Sequence, residues 1–156
     1  MLKKNQECDL ALKGFVDCGH INVNRSSYHW LNLMGIYYCA VILFNRILNP
    51  QVRTDPESQE CARNILQIVL KLRNANMLHN PHSMMSSFPI FVAGIEIQDE
   101  IYKDWTLSIL SEFQSWGTNI PKVKDLLRRI MKRQEVTKCR VNVCQFIKEF
   151  GSVIVI

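Results

Sequence analysis

Glycine and proline are scarce here, six and five in 156 residues. Sheets joined by many tight turns draw heavily on both, so the shortage argues against a turn-rich β architecture and for a helical one. The chain also lacks a Gly-rich phosphate loop, a Gly-x-Ser-x-Gly elbow and a His-Glu-x-x-His pair. No reaction is suggested by motif, and no enzyme is expected. Internal repeats, low-complexity segments and long linkers are missing too. A chain of this length then reads as one domain with a real core.

Paired cysteines are a further absence. Cys8, Cys18, Cys39, Cys61, Cys139 and Cys144 include no Cys-x-x-Cys, whereas structural zinc takes four ligands in short paired spacings. Neither Cys8, Cys18 and His20 nor the loop histidines His79 and His82 make a ligand set, so no metal or other cofactor is expected. Cys39 and Cys61 fall inside apolar helical patterns, where free cysteine acts as a small hydrophobe. Met1-Leu2-Lys3-Lys4 runs into Asn5-Gln6-Glu7 and not into an apolar signal core. A reducing compartment is expected, nucleus or alternatively cytoplasm.

What is present is apolar periodicity. The first twenty-five residues show little of it; Leu10, Leu12, Phe15 and Val16 allow one short helix, interrupted at Gly14. From residue 26 to 156 the pattern predicts an all-α domain, an irregular bundle of about five to seven helices. Ser26 or Ser27 starts a helix that Pro50 ends near Asn49. Between Trp30 and Phe44 it is almost wholly apolar, fifteen residues against the ~20 that cross a bilayer. A central helix covered on most sides is expected, and no membrane span.

A second helix is expected from Glu57 or Ser58 to about Leu78, with Cys61, Ile65, Ile68, Val69 and Leu72 on its buried stripe. The run Ser87-Phe88-Pro89-Ile90-Phe91-Val92-Ala93-Gly94-Ile95-Glu96-Ile97 then opens a long helical stretch. Ser87 is suited to capping and Pro89 to the first turn. Gly94 beside Ala93 leaves room for a second helix to come close. Gln98-Asp99-Glu100 marks a break or fresh cap. Glu96, Asp99, Glu100, Asp104 and Glu112 read as a solvated acidic face, or as partners of the basic helix that follows.

That basic helix starts after Gly117, with Thr118 or Asn119 as cap. It buries Val123, Leu126, Leu127, Ile130 and Met131, and presents Lys124, Arg128, Arg129, Lys132 and Arg133 as a basic contact face. The net charge of +5 is no more than a solvated surface of this kind supplies. A short helix over 141–150 closes at Gly151, ahead of the apolar tail Val153-Ile154-Val155-Ile156.

The Ser87–Ile97 run resembles the aromatic-Pro-Leu/Ile-Phe-x-Ala-Gly-x-Glu signature near the C-terminus of fungal zinc-cluster transcription factors. Phe88, Pro89, Phe91, Ala93, Gly94 and Glu96 carry the match. It continues through Asp99-Glu100-Ile101, the Trp116-Gly117-Thr118-Asn119 joint, and the last helix Val143-Cys144-Gln145-Phe146-Ile147-Lys148-Glu149-Phe150-Gly151. About residues 26–156 fit, as part of a larger helical regulatory domain. The resemblance implies transcription regulation through protein or effector contacts, with the signature as a packing element. The family's zinc cluster, which reads DNA, is missing, so no direct DNA binding is carried over. Partners would be co-regulators or the rest of such a regulator. On this reading the chain is a truncated or C-terminal part of a longer protein, and uncovered apolar surface would favour self-association. The alternative is a small helical ligand-binding protein or enzyme with a pocket between the 28–48 and 88–116 helices, where Tyr28, Trp30, Tyr37, Tyr38, Phe44, Phe88 and Phe91 concentrate.

Overall fold

Among the described residues, six helices form where the apolar stripes lie. The computed structural model describes residues 25–50, 52, 55–78, 87–113 and 119–149. Among them are α1 (Arg25–Leu48), α2 (Pro56–Asn74), α3 (Ser87–Glu96), α4 (Glu100–Glu112), α5 (Ile120–Thr137) and α6 (Val143–Glu149), and no strand. The expectations at Cys8, Cys18, His20, His79, His82, Trp116, Gly117, Thr118 and the tail from Phe150 fall outside the described residues.

Local chemistry sets the ends. Asp55 caps α2, accepting from the Ser58 amide (2.9 Å) and hydroxyl (2.5 Å), with Pro56 in the first turn. The helix therefore starts one residue earlier than expected. It also stops sooner, at Asn74, because Asn76 turns left-handed (φ 54°). The Met77 amide bonds to the Leu72 carbonyl (2.8 Å) and the Asn76 amide to that of Arg73 (3.0 Å), the two bonds of a Schellman end. Asp99 caps α4 by accepting from the Ile101 and Tyr102 amides, at 2.9 and 3.3 Å. That cap is what breaks the stretch opened by Ser87. Asn119 stands at the start of α5 without a side-chain capping bond, since its own backbone is already helical. Asn142 accepts from the Gln145 amide (3.1 Å) in the first turn of α6.

α3 is the hub. Its eight residues from Pro89 to Glu96 are all buried, and it packs on α1, α2, α4 and α5. Gly94 makes the tightest approach. A Cβ there would come within 2.8 Å of Leu127 Cδ2 and 3.0 Å of Thr106 Cγ2, so glycine lets α3 close on α4 and α5 together. The expected stripes of α2 and α5 are buried as read from the sequence.

α1 departs from expectation. Tyr28, Leu31, Met34, Tyr38, Cys39 and Ile42 are buried, but Trp30 (57% exposed), Phe44 (60%) and Ile47 (76%) are not. The helix makes its main contacts with α2 and α3, both on one side, so half of its apolar surface meets no other described helix. The stretch Ser27–Leu48, at 22 residues, is long and apolar enough to span a bilayer by length and composition, which corrects the fifteen-residue count. Its inner face is nevertheless packed as a bundle helix, and its C-terminal end is tied into the protein by Arg46.

Candidate functional site

Three apolar stripes end in a polar residue, and the fold brings those residues together. Arg46 continues the Tyr38–Cys39–Ile42 face of α1, Gln59 precedes Ala62 and Leu66 on α2, and Gln134 follows Ile130 and Met131 on α5. Each lies on its helix's buried side. They meet at the C-terminal end of α3, around Glu96, which is 3% exposed.

Both carboxylate oxygens of Glu96 are taken. Arg46 Nη1 donates to Oε2 at 2.7 Å, and Arg140 Nη2 to Oε1 at 2.5 Å. The two guanidiniums reach further. Arg46 Nη2 donates to the Val141 carbonyl (2.7 Å) and to Gln134 Oε1 (3.3 Å). Arg140 Nη1 donates to the Asn45 and Asn49 carbonyls, at 3.2 and 3.1 Å. These carbonyls already accept from the Asn49 and Val52 amides (2.9 and 3.2 Å), so Arg140 adds a second donor at the end of α1 that carries the negative end of the helix dipole. One arginine thus neutralises a carboxylate and a helix terminus at once. The Arg140 Nε, also buried, has no protein partner.

The glutamines close the end of α3. Gln59 donates to the Glu96 carbonyl and accepts from the Gln98 amide (3.2 Å). Gln134 Nε2 donates to the Ile95 carbonyl (2.7 Å), while its Oε1 accepts from the Val141 amide (3.1 Å). Two orphan carbonyls of a buried helix end are so paired without water. On the outer side Asn45 Nδ2 donates to Asp55 (3.1 Å) and Glu57 (2.9 Å), joining the end of α1 to the start of α2.

Burial lowers the Arg46 guanidinium from its ordinary value, opposed by the Glu96 charge and hydrogen bond. At Asp55 partial desolvation raises the carboxyl, but the Ser58 hydrogen bonds, the Arg140 charge and Asn45 outweigh it and hold the group below its usual range. Fixed counter-charges and short bonds to both carboxylate oxygens make the cluster a clasp on the chain segments that meet there.

The placement of Glu96 corrects the sequence reading. It belongs neither to a solvated acidic face nor to the basic helix, because α3 ends inside the bundle and not at its surface. Glu112, the other end of that supposed face, pairs with Arg73 of α2 at 2.7 Å. Arg140, Arg46, Gln59 and Gln134 were not among the residues singled out. The available signal was a polar side chain in register with a buried stripe.

Of the remaining signature residues, Phe91 is 2% exposed, Pro89 and Ala93 are buried, and Phe88 is at the surface. The five basic residues read on α5 differ in their surroundings. Lys124 points back to Ser111 of α4 and donates to it, because its long stem lies over the α4–α5 seam. Arg129 pairs with Asp125 at 2.8 Å. Arg128, Lys132 and Arg133 are exposed along the helix.

No group of three or more His, Cys, Asp or Glu side chains among the described residues could hold a metal. Two clefts lie away from the α1–α3 contact. One of about 210 Å³ opens between the ends of α5 and α6, beside Arg133, Thr137, Arg140 and Gln145. The other, about 180 Å³, runs between α1 and α2 beside Tyr37, Tyr38, Glu60 and Asn64.

No curated protein and no solved structure matches the chain. A family match, described as a fungal specific transcription factor domain, covers residues 4–142. It takes in α1 to α5, the hub helix and all the residues that hold Glu96. With most of its length inside that match, the chain belongs to the fungal specific transcription factor domain family.

Proposed function

We propose that this chain works in transcription regulation through protein contacts, in the nucleus, and does not itself read DNA. The observation that carries the reading is the family match over residues 4–142. Two features support the mechanism. The sequence has no paired-cysteine cluster of the kind that holds DNA-reading zinc. The exposed cations Arg128, Lys132 and Arg133 lie along one helix beside exposed Glu135 and the Arg129–Asp125 pair, a mixed surface suited to a protein partner more than to a run of phosphates. Glu96 with its two arginines and Gly94 with its close helix contact serve as the packing element that holds this surface in shape.

The test tethers the chain to an unrelated DNA-binding domain upstream of a reporter in a fungal host. A severalfold change in transcript, absent when the chain is expressed untethered, is expected. An unchanged reporter would overturn the regulatory reading. In a companion gel-shift at physiological salt, the purified chain should not exceed the ~10⁻⁴–10⁻⁶ M affinity of non-specific binding; tight, sequence-dependent shifts would overturn the claim that it does not read DNA.

A further inference from the structure

Arg140 belongs both to the Glu96 cluster and to the wall of the cleft of about 210 Å³ between the ends of α5 and α6. Its side chain is 3% exposed. The two Nη groups are spent on Glu96 and on the Asn45 and Asn49 carbonyls, and the Nε–H is left without an acceptor. A guanidinium holds its donors in a fixed fork, so turning it to satisfy Nε would break the bonds at the Nη groups. Buried donors are almost always paired, and an open one on a charged group costs more than on a neutral one. Protein atoms supply no acceptor here, and the cleft is the open space that Arg140 borders.

Charge points the same way. The cluster sets two guanidiniums, Arg46 and Arg140, against the one carboxylate of Glu96. The end of α1 and the half-buried Asp55 offset only part of the excess. A further cation, Arg133, stands exposed on the cleft wall. Asn142 turns its Oδ1 to the Gln145 amide, which leaves its Nδ2 as a donor there. The one carboxylate of the lining, Glu149, is exposed and takes the Gln145 side-chain amide at 3.2 Å. Donors and positive charge dominate the cleft, which is the chemistry that holds an oxyanion. Volume sets the size of the ligand. The cleft exceeds the ~150 Å³ that takes up a benzene ring and falls short of the ~300–1,000 Å³ typical for drug-sized molecules.

We propose that this cleft binds a small oxyanion, a phosphate or carboxylate group on a molecule of about ten non-hydrogen atoms or fewer, between Arg133 and the Nε–H of Arg140. Arg133 draws the anion in, and Arg140, held by Glu96 and the end of α1, supplies the fixed inner donor. The bound anion also balances the second buried guanidinium. The site stands on this geometry and not on the regulatory reading, and its test involves no DNA or transcript.

The test follows the Arg140 Nε–H resonance of the isotope-labelled full chain, titrated with inorganic phosphate and separately with succinate, in about 0.1 M chloride. A saturable shift with a midpoint of ~1 mM or below is expected from at least one of them. The tighter of the two tells a phosphate source from a carboxylate source. Arg133→Gln should raise that midpoint about tenfold. Lys132→Gln removes the same charge from the same helix but lies outside the cleft lining, and should leave the midpoint within about twofold. Both positions are exposed, so both variants should remain helical by circular dichroism. Shifts that are absent, or that climb without saturating, with both anions would overturn the proposal and leave charge screening only. So would a midpoint that Arg133→Gln does not change, or that the two variants raise equally. Saturable binding that leaves the Arg140 Nε–H unmoved would overturn it too, and place the anion at another cation.

Discussion

The two sides of α1 meet opposite surroundings. Near its C-terminal end, the Arg46 side chain is charged and mostly covered by the protein, with Glu96 as partner at 2.7 Å. On its outer side Trp30, Phe44 and Ile47 are apolar and open to water. Polarity alone would have placed both the other way round. What decides is whether a neighbour satisfies the group. A guanidinium with a carboxylate and two further acceptors tolerates burial, whereas an apolar face without a facing helix stays exposed whatever its chemistry.

The strongest challenge to that contrast is Glu96→Ala. It leaves Arg46 and Arg140 facing each other with no counter-charge, and removal of one partner from such a buried cluster costs ~3–5 kcal/mol. Since domains of this size hold only ~5–15 kcal/mol in total, urea unfolding should show a midpoint lowered by about a fifth or more. A change under about 1 kcal/mol would mean that water reaches the cluster and that the burial is apparent only.

Gly94→Ala probes the apolar side of the same helix. The added methyl meets Leu127 and Thr106, both fully buried. Overpacking of ~1–3 kcal/mol is partly offset by the ~1 kcal/mol that alanine gains over glycine in a helix. A net loss of up to about 2 kcal/mol is expected in the same unfolding measurement, and a stabilised variant would show that α3 and α5 do not close as tightly as drawn.

Asp55→Ala removes the cap that joins α2 to the cluster's rim, at a cost of about 1 kcal/mol. The carboxyl is held below its ordinary value in the folded chain. Its contribution is therefore complete above the unfolded value near pH 4 and fades as the pH falls through the folded one. Thermal melts from pH 6 down to 3 should converge for the variant and its parent.

Cysteine labelling sharpens the contrast without perturbing the fold. Burial pushes the Cys39 thiol on the inner face of α1 up to about 11, so it should react far more slowly at pH 8 than Cys144, which is exposed. Equal rates would mean that the inner face opens readily. The smallest effect belongs to Leu48→Gln on the outer side. At a concentration where the chain is monomeric it should shift stability by less than about 0.5 kcal/mol. A loss as large as that at Glu96 would mean that this face is covered after all.

Much of the fold was legible residue by residue. The stripes at Ile65, Ile68, Val69 and Leu72, and at Leu126, Leu127, Ile130 and Met131, predict α2 and α5 because helical periodicity is a local property. Pro56, Asp55 and Asp99 mark helix starts for equally local reasons, although the sequence reading placed the start of α2 slightly late. The candidate site was only half legible. Gly94 and Glu96 stood out within one short run, and the meaning of the glycine was read correctly as room for a second helix. The clasp was not read, because the partners of Glu96 lie 50 and 44 positions away. On a helical wheel a carboxylate at a helix end looks the same in water and in a salt bridge.

The sequence by itself determined which segments become helices, where they begin, and that they bury apolar stripes, since these follow from dihedral preferences and side-chain spacing along a few turns. Only the tertiary structure decided which charge goes inside and which apolar face stays out. Both outcomes depend on what stands opposite. That is set by the joint packing of α1, α2, α3 and α5, and the desolvation of Arg46, Arg140 and Glu96 is tolerable only because all three arrive at one place.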